Sequence, residues 1–193
     1  MSQHDRTKSV SANTYSGDTL RADLAIIAEW IKPDCKVLDL GCGDGTLLAY
    51  LRDERNVTGY GLEISPFNVE ECVEKQVNVI QADLNDGLKA YFTDNSFDYV
   101  IMSQTLQATQ QPDALIEEML RVGHEGIVTF PNFAHWSARV QLALQGIMPV
   151  TKNLPNQWFN TPNVHLCTLN AVSYTHLRAH ETRYTISYAG LCL

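Results

Sequence analysis

The chain has 193 residues, of which 45% are hydrophobic and 19% charged, a composition typical of one globular domain with a sizeable core. Its formal net charge of −8 argues against general binding to nucleic acids or to anionic membranes, because both need a basic surface. No apolar run approaches the roughly 20 residues of a membrane span, and five cysteines without a CxxC pair indicate reduced thiols in a cytoplasmic protein.

The N-terminal region is polar and then becomes helical. Residues 1–18 contain no apolar signal core, so we expect a disordered arm before one domain over 19–171. A helix is predicted over 17–31, with Asp18 as its N-cap and apolar residues at helical spacing. A nearly continuous apolar run over 35–40 then predicts a strand covered on both faces.

Helices and strands alternate through the rest of the domain. Helices are predicted over 46–54, 65–76, 111–123 and 135–146, and strands over 57–64, 77–83, 97–104 and 125–132. This alternation predicts right-handed βαβ units, and therefore an α/β fold with a doubly wound, mostly parallel sheet. The Pro- and Asn-rich segment 147–169 is expected to form a long functional loop or cover.

The last 22 residues need a separate interpretation. On a helix, His176, His180 and Glu181 would look like a metal site. However, a DNA string that encodes VSYTHLRAHET, followed by one that encodes ISYA, looks like a common transposon-end sequencing adapter. We therefore expect residues 172–193 not to be native, and we assign no metal site.

A glycine loop follows the first strand. In parallel sheets, ligands bind at the carboxyl ends of the strands beside the first strand. The loop does not match the dinucleotide fingerprint G-x-G-x-x-G, because Thr46 stands where the third glycine is needed. The three glycines instead alternate with other residues, at Gly41, Gly43 and Gly45.

Two aspartates lie beside these glycines in the sequence. Asp39 precedes the loop and Asp44 lies within it, so a pyrophosphate would be repelled. A ligand with a sulfonium and an ammonium group would be attracted, which favours S-adenosyl-L-methionine. The alternative is that the glycines serve only a tight turn and helix packing.

Other strand ends supply candidate contacts to such a ligand. Glu63 ends the second strand and could accept hydrogen bonds from both ribose hydroxyls, or could simply be solvated. Asp83 and the backbone N–H of Leu84 could contact the adenine edge, although an Asx-type turn is an open alternative for Asp83. Ser103 and Gln104 close the fourth strand and are expected to line the pocket floor.

These residues resemble the class I S-adenosylmethionine-dependent methyltransferases and, more narrowly, the MetW family of methionine biosynthesis proteins. The likeness covers about 21–169 and is carried by RADLAIIAEWI, VLDLGCGDGTLL, GYGLEI, VNVIQADLNDGL, SFDYVIMSQTLQ, EEMLRVGHEGIVTFPNFAHW and MPVTKNLPNQWFNTPNVHLCTL. The glycine motif alone identifies only the superfamily. The run from SQTLQ to NVHLCT is far more specific.

The resemblance implies a cofactor, a partner and a sheet order. It implies S-adenosyl-L-methionine contacts at Asp39, Gly41, Gly43, Gly45, Glu63 and Asp83, and a link with homoserine O-acyltransferase. It also implies the strand order 3-2-1-4-5-7-6. If residues 172–193 are not native, the C-terminal strands are missing and strand five is an open edge.

The resemblance supplies no catalytic residue. His135 and His165 are weak candidates for a general base, and each could equally be a structural histidine. The leading hypothesis is a protein that binds S-adenosyl-L-methionine and acts with or on the acyltransferase; the alternative is a methyltransferase of an unidentified small molecule. Four aromatic residues expected to be exposed would form a partner interface or a lid over the cofactor, namely Phe133, Trp136, Trp158 and Phe159.

Overall fold

The computed structural model describes residues 20–151, 154 and 156–172, together with the backbone of 185–191. The predicted arm over 1–18 and the residues His176, His180 and Glu181 lie outside this part of the chain. The main elements are α1 (Ala22–Trp30), β1 (Lys36–Leu40), α2 (Thr46–Arg55), β2 (Thr58–Glu63), α3 (Pro66–Glu74), β3 (Asn78–Gln81), β4 (Phe97–Ser103), α4 (Pro112–Val122), β5 (Gly123–Pro131), α5 (Trp136–Gln145) and β6 (Thr185–Leu191).

Most predicted element boundaries agree with the structure within one or two residues, and the largest difference is at the start of α1. Helix α1 begins at Ala22 rather than at residue 17, and the predicted N-cap Asp18 lies outside the described residues. Strand β5 begins at Gly123, directly after α4, rather than at residue 125. Gly123 has an extended φ of −116°, so α4 ends by entering a strand and not by a left-handed turn.

The sheet is parallel throughout, with the order β3-β2-β1-β4-β5-β6. The chain runs outward from β1 to β3 and then returns to place β4 on the other side of β1. The connections after β1 and β4 therefore diverge, and a crevice forms at the carboxyl ends of these two strands. This arrangement confirms the predicted α/β fold with a doubly wound sheet.

The expectation that strand five is an open edge is wrong for this structure. Residues Thr185–Leu191 pair in parallel with β5 along Glu125–Pro131. The segment TISYAGL contains β-branched and aromatic residues that favour strands, and an unpaired β5 would offer a full row of N–H and C=O groups to it. The tail thus occupies the position next to β5 where the implied order 3-2-1-4-5-7-6 places another strand.

Two apolar layers cover the faces of the sheet. One packs Val37, Ile101 and Ile127 against α1 and α2, and the other packs Val100 and Val128 against α4. Burial on both faces explains why the central strands read as nearly continuous apolar runs. No helix in the described part of the chain is both long enough and apolar enough to cross a membrane.

Candidate ligand site at the glycine loop

The loop between β1 and α2 turns tightly over the carboxyl end of the sheet. The backbone N–H groups of Gly41 and Cys42 both donate to the carbonyl of Leu62, at 2.8 and 3.1 Å. Gly41, Gly43 and Gly45 have φ angles of +77°, +56° and +74°. These angles lie in the left-handed region that residues with a Cβ adopt at a cost.

The three glycines differ in what surrounds them. A Cβ on Gly41 would overlap the side chain of Thr105, and a Cβ on Gly45 would lie 2.9 Å from Cys72 Sγ. A Cβ on Gly43 would meet no described atom within 4 Å. Packing therefore accounts for Gly41 and Gly45, whereas Gly43 borders open space where a ligand can approach the backbone.

That open space is a cavity of about 560 Å³. Its walls come from the start of α1, the glycine loop and the end of β4, and they comprise Arg21, Leu24, Asp39, Gly41, Cys42, Gly43, Asp44, Thr46, Leu47, Ser103, Gln104 and Thr105. The cavity thus brings together the predicted residues Asp39, Gly41, Gly43, Ser103 and Gln104. Four predicted residues are not part of these walls: Gly45, Glu63, Asp83 and Leu84.

Asp39 is a buried carboxylate in this cavity wall. Its side chain is 3% exposed, and Oδ1 has no hydrogen-bond partner among the described residues. Burial, and after it the charge of Glu63, raises the pKa of Asp39 to about 7, while Arg21 acts in the opposite direction. An unpaired buried carboxylate is unfavourable, so a cationic group placed in the cavity would be stabilised there.

Glu63 is buried and supports the loop, so the interpretation as a solvated residue is wrong. Its Oε2 accepts a hydrogen bond from the N–H of Gly43 at 2.9 Å, and its Oε1 accepts one from Ser65 at 2.9 Å. Each carboxylate oxygen can accept two hydrogen bonds. Glu63 can therefore hold Gly43 in place and still accept from a hydroxyl of a ligand.

Asp44 has a different role from the one inferred from its sequence position. Lys75, the C-cap residue of α3, pairs with its carboxylate and donates to its carbonyl oxygen at 2.9 Å. Burial opposes ionisation, but hydrogen bonds from Lys75 and Thr46 outweigh it and hold the pKa of Asp44 below its usual range. Because Lys75 balances this charge, Asp39 is the acidic residue that faces the cavity without a partner of opposite charge in hydrogen-bond contact.

Asp83 forms the Asx-type turn that the sequence left as an alternative. Its Oδ1 accepts hydrogen bonds from the backbone N–H of Asn85 at 2.9 Å and from the Asn85 amide at 2.8 Å. Leu84 lines a separate cavity of about 300 Å³ beside α4. The strand register nevertheless places Asp83 at the same edge as Glu63, because Glu63 pairs with Gln81.

The end of β4 forms the other side of the glycine-loop cavity. Ser103 Oγ lies 3.2 Å from Thr129 Oγ1, and the N–H of Gln104 donates to the Thr129 carbonyl at 2.9 Å. Gln104 adopts a φ of +54°, which is uncommon for a residue with a side chain. Such strain is found where surrounding structure holds a functional turn in place.

The two candidate histidines lie outside the cavity wall. His135 precedes α5, and its Nδ1 lies 2.7 Å from Ser137 Oγ. The backbone N–H of His165 donates to the carbonyl of Gln107 at 3.0 Å. This hydrogen bond connects the cover (residues 147–169) to the segment after β4. His165 Nε2 and Gln107 Oε1 are both buried without a hydrogen-bond partner among the described residues.

Three of the four candidate interface aromatics are exposed. Trp136, Trp158 and Phe159 are 69%, 74% and 66% exposed, and none of them lines the glycine-loop cavity. Phe133 and Trp158 instead border a smaller cavity of about 160 Å³ within the cover. The arrangement favours an interface over a lid packed on the glycine loop.

Sequence reasoning missed Arg21 and Thr105, which also line the cavity. Arg21 stands 18 residues before Asp39, in the N-cap position of α1, and no motif connects the two. A local pattern could not have identified it, because its position depends on how α1 packs against the sheet.

The comparisons with known proteins identify relatives of this chain. The family model described as methionine biosynthesis protein MetW matches residues 21–184. The bifunctional methionine biosynthesis protein MetXA/MetW of Rhodopirellula baltica is 40% identical over 160 residues, which are 78% of this chain and 26% of that protein. Norajmaline N-methyltransferase of Rauvolfia serpentina is 26% identical over 108 residues, covering 51% of this chain and 36% of that enzyme. The chain thus spans only about a quarter to a third of the length of these relatives.

Solved structures share the fold at low sequence identity. A protein of Archaeoglobus fulgidus described as a SAM-dependent methyltransferase aligns with a TM-score of 0.62 and 18% identity, covering 82% of this chain and 66% of that one. A protein of Thermotoga maritima described as a SAM-dependent methyltransferase aligns with a TM-score of 0.51 and 19% identity, covering 63% and 56%. These likenesses confirm the class I methyltransferase fold.

Proposed function

The chain belongs to the MetW family of methionine biosynthesis proteins, and we propose that it binds S-adenosyl-L-methionine at the glycine loop and acts with or on homoserine O-acyltransferase. The observation that carries the proposal is the buried carboxylate of Asp39, whose Oδ1 has no hydrogen-bond partner in the described part of the chain and which lies in the wall of the 560 Å³ cavity with Gly43. A cation in this cavity would compensate the buried charge of Asp39. Because Gly43 has no side chain, a ligand can approach the backbone there.

The proposed contacts to the cofactor come from residues at or just after the carboxyl ends of the strands. In this proposal, Asp39 would face the methionine part and Glu63 would use its remaining acceptor sites for the ribose, while Asp83 and the N–H of Leu84 would contact the adenine edge. The complete proposed set is Asp39, Gly41, Gly43, Gly45, Glu63, Asp83, Leu84 and Ser103. When bound, the cofactor would supply an activated methyl group on a cationic sulfur.

The position of the histidines favours a binding protein over a catalyst. Transfer to an oxygen or nitrogen atom usually needs a base within hydrogen-bond reach of the acceptor. Neither His135 nor His165 belongs to the wall of the glycine-loop cavity. The cofactor would then report methionine status to the acyltransferase.

The alternative is a methyltransferase that acts on an unidentified small molecule. A separate cavity of about 160 Å³, bordered by Phe133 and Trp158, is the candidate space for an acceptor in this alternative. Incubation with labelled S-adenosyl-L-methionine distinguishes the two. Slow label loss to water, with no methylated product from an acceptor screen, supports a binding protein, and a methylated product supports the enzyme.

Two observations support the proposed partner: a relative whose single chain carries both names, and a group of exposed aromatic residues. In the bifunctional relative, the names MetXA and MetW describe a single chain, which favours physical association of the two activities. The exposed Trp136, Trp158 and Phe159 are the residue types that protein interfaces favour. Sedimentation of the chain mixed with homoserine O-acyltransferase tests this: a complex is expected, and Trp158→Ala should weaken it.

The site is tested by calorimetric titration of S-adenosyl-L-methionine into the unaltered protein and into Gly43→Ala. The new methyl group would project into the cavity, so we expect the affinity to fall at least ~10-fold, as expected for a steric block of backbone approach. Gly146→Ala is the matched control, because Gly146 also has a left-handed φ (+65°) and open space around its Cβ position, but lies after α5. Both variants place an alanine at a left-handed φ, so equal affinities in the two would contradict the proposed site.

A further inference from the structure

Gln107 connects the wall of the glycine-loop cavity to the cover. It follows β4 in a short helical turn (Leu106–Ala108) and is 5% exposed. Its side-chain Nε2 donates to the carbonyl of Gln104, a residue of the cavity wall, at 2.7 Å. Its own carbonyl accepts from the backbone N–H groups of Val164 and His165, at 2.8 and 3.0 Å. One buried residue is therefore hydrogen-bonded to the cavity wall on one side and to the cover on the other.

Two polar atoms at this junction, Gln107 Oε1 and His165 Nε2, are buried without a hydrogen-bond partner in the described part of the chain. An amide oxygen only accepts hydrogen bonds, whereas an imidazole nitrogen donates one when it carries the proton. The two atoms are therefore complementary, and one hydrogen bond between them would satisfy both. Because buried polar atoms are nearly always paired in folded proteins, these two favour a second arrangement of the junction in which they meet.

The cover beside this junction is lightly packed. Val164 and Leu166, which flank His165, are 63% and 56% exposed. The next residue, Cys167, is buried, and its carbonyl accepts from the N–H of Phe133 at 3.0 Å. The segment is thus anchored at Cys167, while the side chains on either side of His165 face solvent. Segments with few buried apolar side chains have low local stability and shift readily.

We propose that Gln107 couples the glycine-loop cavity to the cover: when the cavity is occupied, the cover shifts onto Gln107, and His165 Nε2–H donates to Gln107 Oε1. We call this the closed arrangement. The inference rests on the proposed function, and it adds the route by which a ligand would act on the exposed aromatic residues of the cover. Gln107 is a positioning residue, because it acts through Gln104 and His165.

The route begins at Gln104. This residue has a φ of +54°, its N–H donates to the Thr129 carbonyl at 2.9 Å, and its own carbonyl holds the Gln107 amide. A ligand packed against Gln104 would fix this strained turn in one conformation, and the amide plane of Gln107 would be fixed with it. Oε1 would then be presented to His165 in one orientation. By linkage, a ligand that favours the closed arrangement also binds more tightly to it.

Hydrogen exchange of backbone amides, measured by mass spectrometry with and without saturating S-adenosyl-L-methionine, tests the coupling. Peptides over residues 39–46 report occupancy of the cavity, and peptides over 156–168 report the cover. In the unaltered protein we expect the ligand to slow exchange in both, in the cover by at least ~5-fold, the lower end of typical couplings between two sites. In Gln107→Leu, which keeps the size of the side chain but removes the amide, the loop should still be protected and the cover should not.

Two further variants complete the design. His165→Phe removes the Nε2 donor and keeps a ring, so it should abolish the protection of the cover in the same way. The double variant should lose no more than either single one, because both act on one hydrogen bond. Gln110→Leu is the matched control, since Gln110 is exposed and lies three residues after Gln107 in the same segment. In this control the ligand should protect the cover as it does in the unaltered protein.

Each outcome has one meaning. Loss of cover protection in both single variants, with the loop still protected, supports the coupling. Cover protection that persists in either variant overturns it, as does an unaltered protein in which only the loop is protected; both results leave the proposed function intact. If neither peptide of the unaltered protein responds to the ligand, the proposed function fails together with the coupling. Thermal melts identify any variant that does not fold, and if Gln107→Leu is one of them, His165→Phe carries the comparison.

Discussion

Asp39 combines three properties that rarely occur in one side chain. It is almost fully buried, its Oδ1 is unpartnered among the described residues, and it lies at the end of the central strand next to the glycine loop. A purely structural role would have placed a hydrogen-bond donor against this oxygen, as Ser65 and Gly43 are placed against Glu63. The cost of burying Asp39 is therefore understandable if a ligand compensates it.

The raised pKa of Asp39 predicts how stability depends on pH. Between about pH 4 and 7 this carboxyl group is ionised in the unfolded chain but protonated in the folded one, so folding takes up a proton and stability falls as the pH rises. Since one pKa unit corresponds to about 1.4 kcal/mol, the total loss by pH 7 is roughly 4 kcal/mol. Urea unfolding from pH 4.5 to 7.5 measures it.

Asp39→Asn is the variant that isolates this effect. Asp44 and Glu118 have lowered pKa values and therefore contribute in the opposite direction, with stability that is lost as the pH falls. These contributions are common to both proteins. The unfolding free energy of Asp39→Asn should thus lack the decline toward pH 7, and parallel pH profiles of the two proteins would refute the assignment.

At the level of elements, the junction of α4 and β5 shows how one small residue connects two layers. The helix ends and the strand begins at Gly123 without an intervening loop. A Cβ at this position would overlap Cγ2 of Val100, a fully buried residue of β4. Gly123 is therefore required by the space between neighbouring strands and not by a left-handed backbone.

Gly123→Ala tests this interpretation. The added methyl group overpacks the interface between β4 and β5, so we expect the free energy of unfolding to fall by about 1–3 kcal/mol. In a Val100→Ala background the overlapping methyl groups are absent, and the same substitution should cost much less. Urea unfolding of the four proteins gives the coupling, and an equal cost in both backgrounds would exclude steric overlap as the cause.

At the level of the whole molecule, the sheet assembles the site from distant parts of the chain. The order β2-β1-β4 places the ends of β1 and β4 side by side, although Asp39 and Ser103 are far apart in sequence. On the other flank, β6 covers β5, which is otherwise an edge with apolar residues on both faces. We therefore expect the outer strand β6 to contribute to the stability of the sheet that carries the site.

Removal of β6 should expose that edge. For a chain that ends at residue 184, we expect a lower melting temperature and more aggregation, because β5 loses its backbone partners along Glu125–Pro131. Light scattering during a thermal melt measures both, with the intact chain at equal concentration as the reference. If the two melts coincide with equally low scattering, β6 contributes nothing to stability.

Much of the fold could be predicted from local sequence patterns. The alternation of apolar runs and amphipathic segments located all strands from β1 to β5 and the helices between them, because such periods depend on near neighbours in the chain. The glycines of the loop were recognisable for the same reason. The turn at Asp83 is also local, since its carboxylate accepts from Asn85 two residues later, and the sequence offered it as an alternative. The pairing of Asp44 with Lys75 was not decided by these patterns, since it depends on which side chains become neighbours after folding.

By itself, the sequence determined the class of fold, the strand that carries the glycine loop, and the family resemblance. Only the tertiary structure decided that Oδ1 of Asp39 is buried without a hydrogen-bond partner among the described residues, and that Lys75 balances Asp44. It also decided that Arg21 lines the same cavity and that β6 pairs with the edge of β5. The physical reason is the distance along the sequence over which the interactions act. Backbone conformation follows from contacts over a few residues, whereas charge balance and cavity walls arise where distant elements pack together.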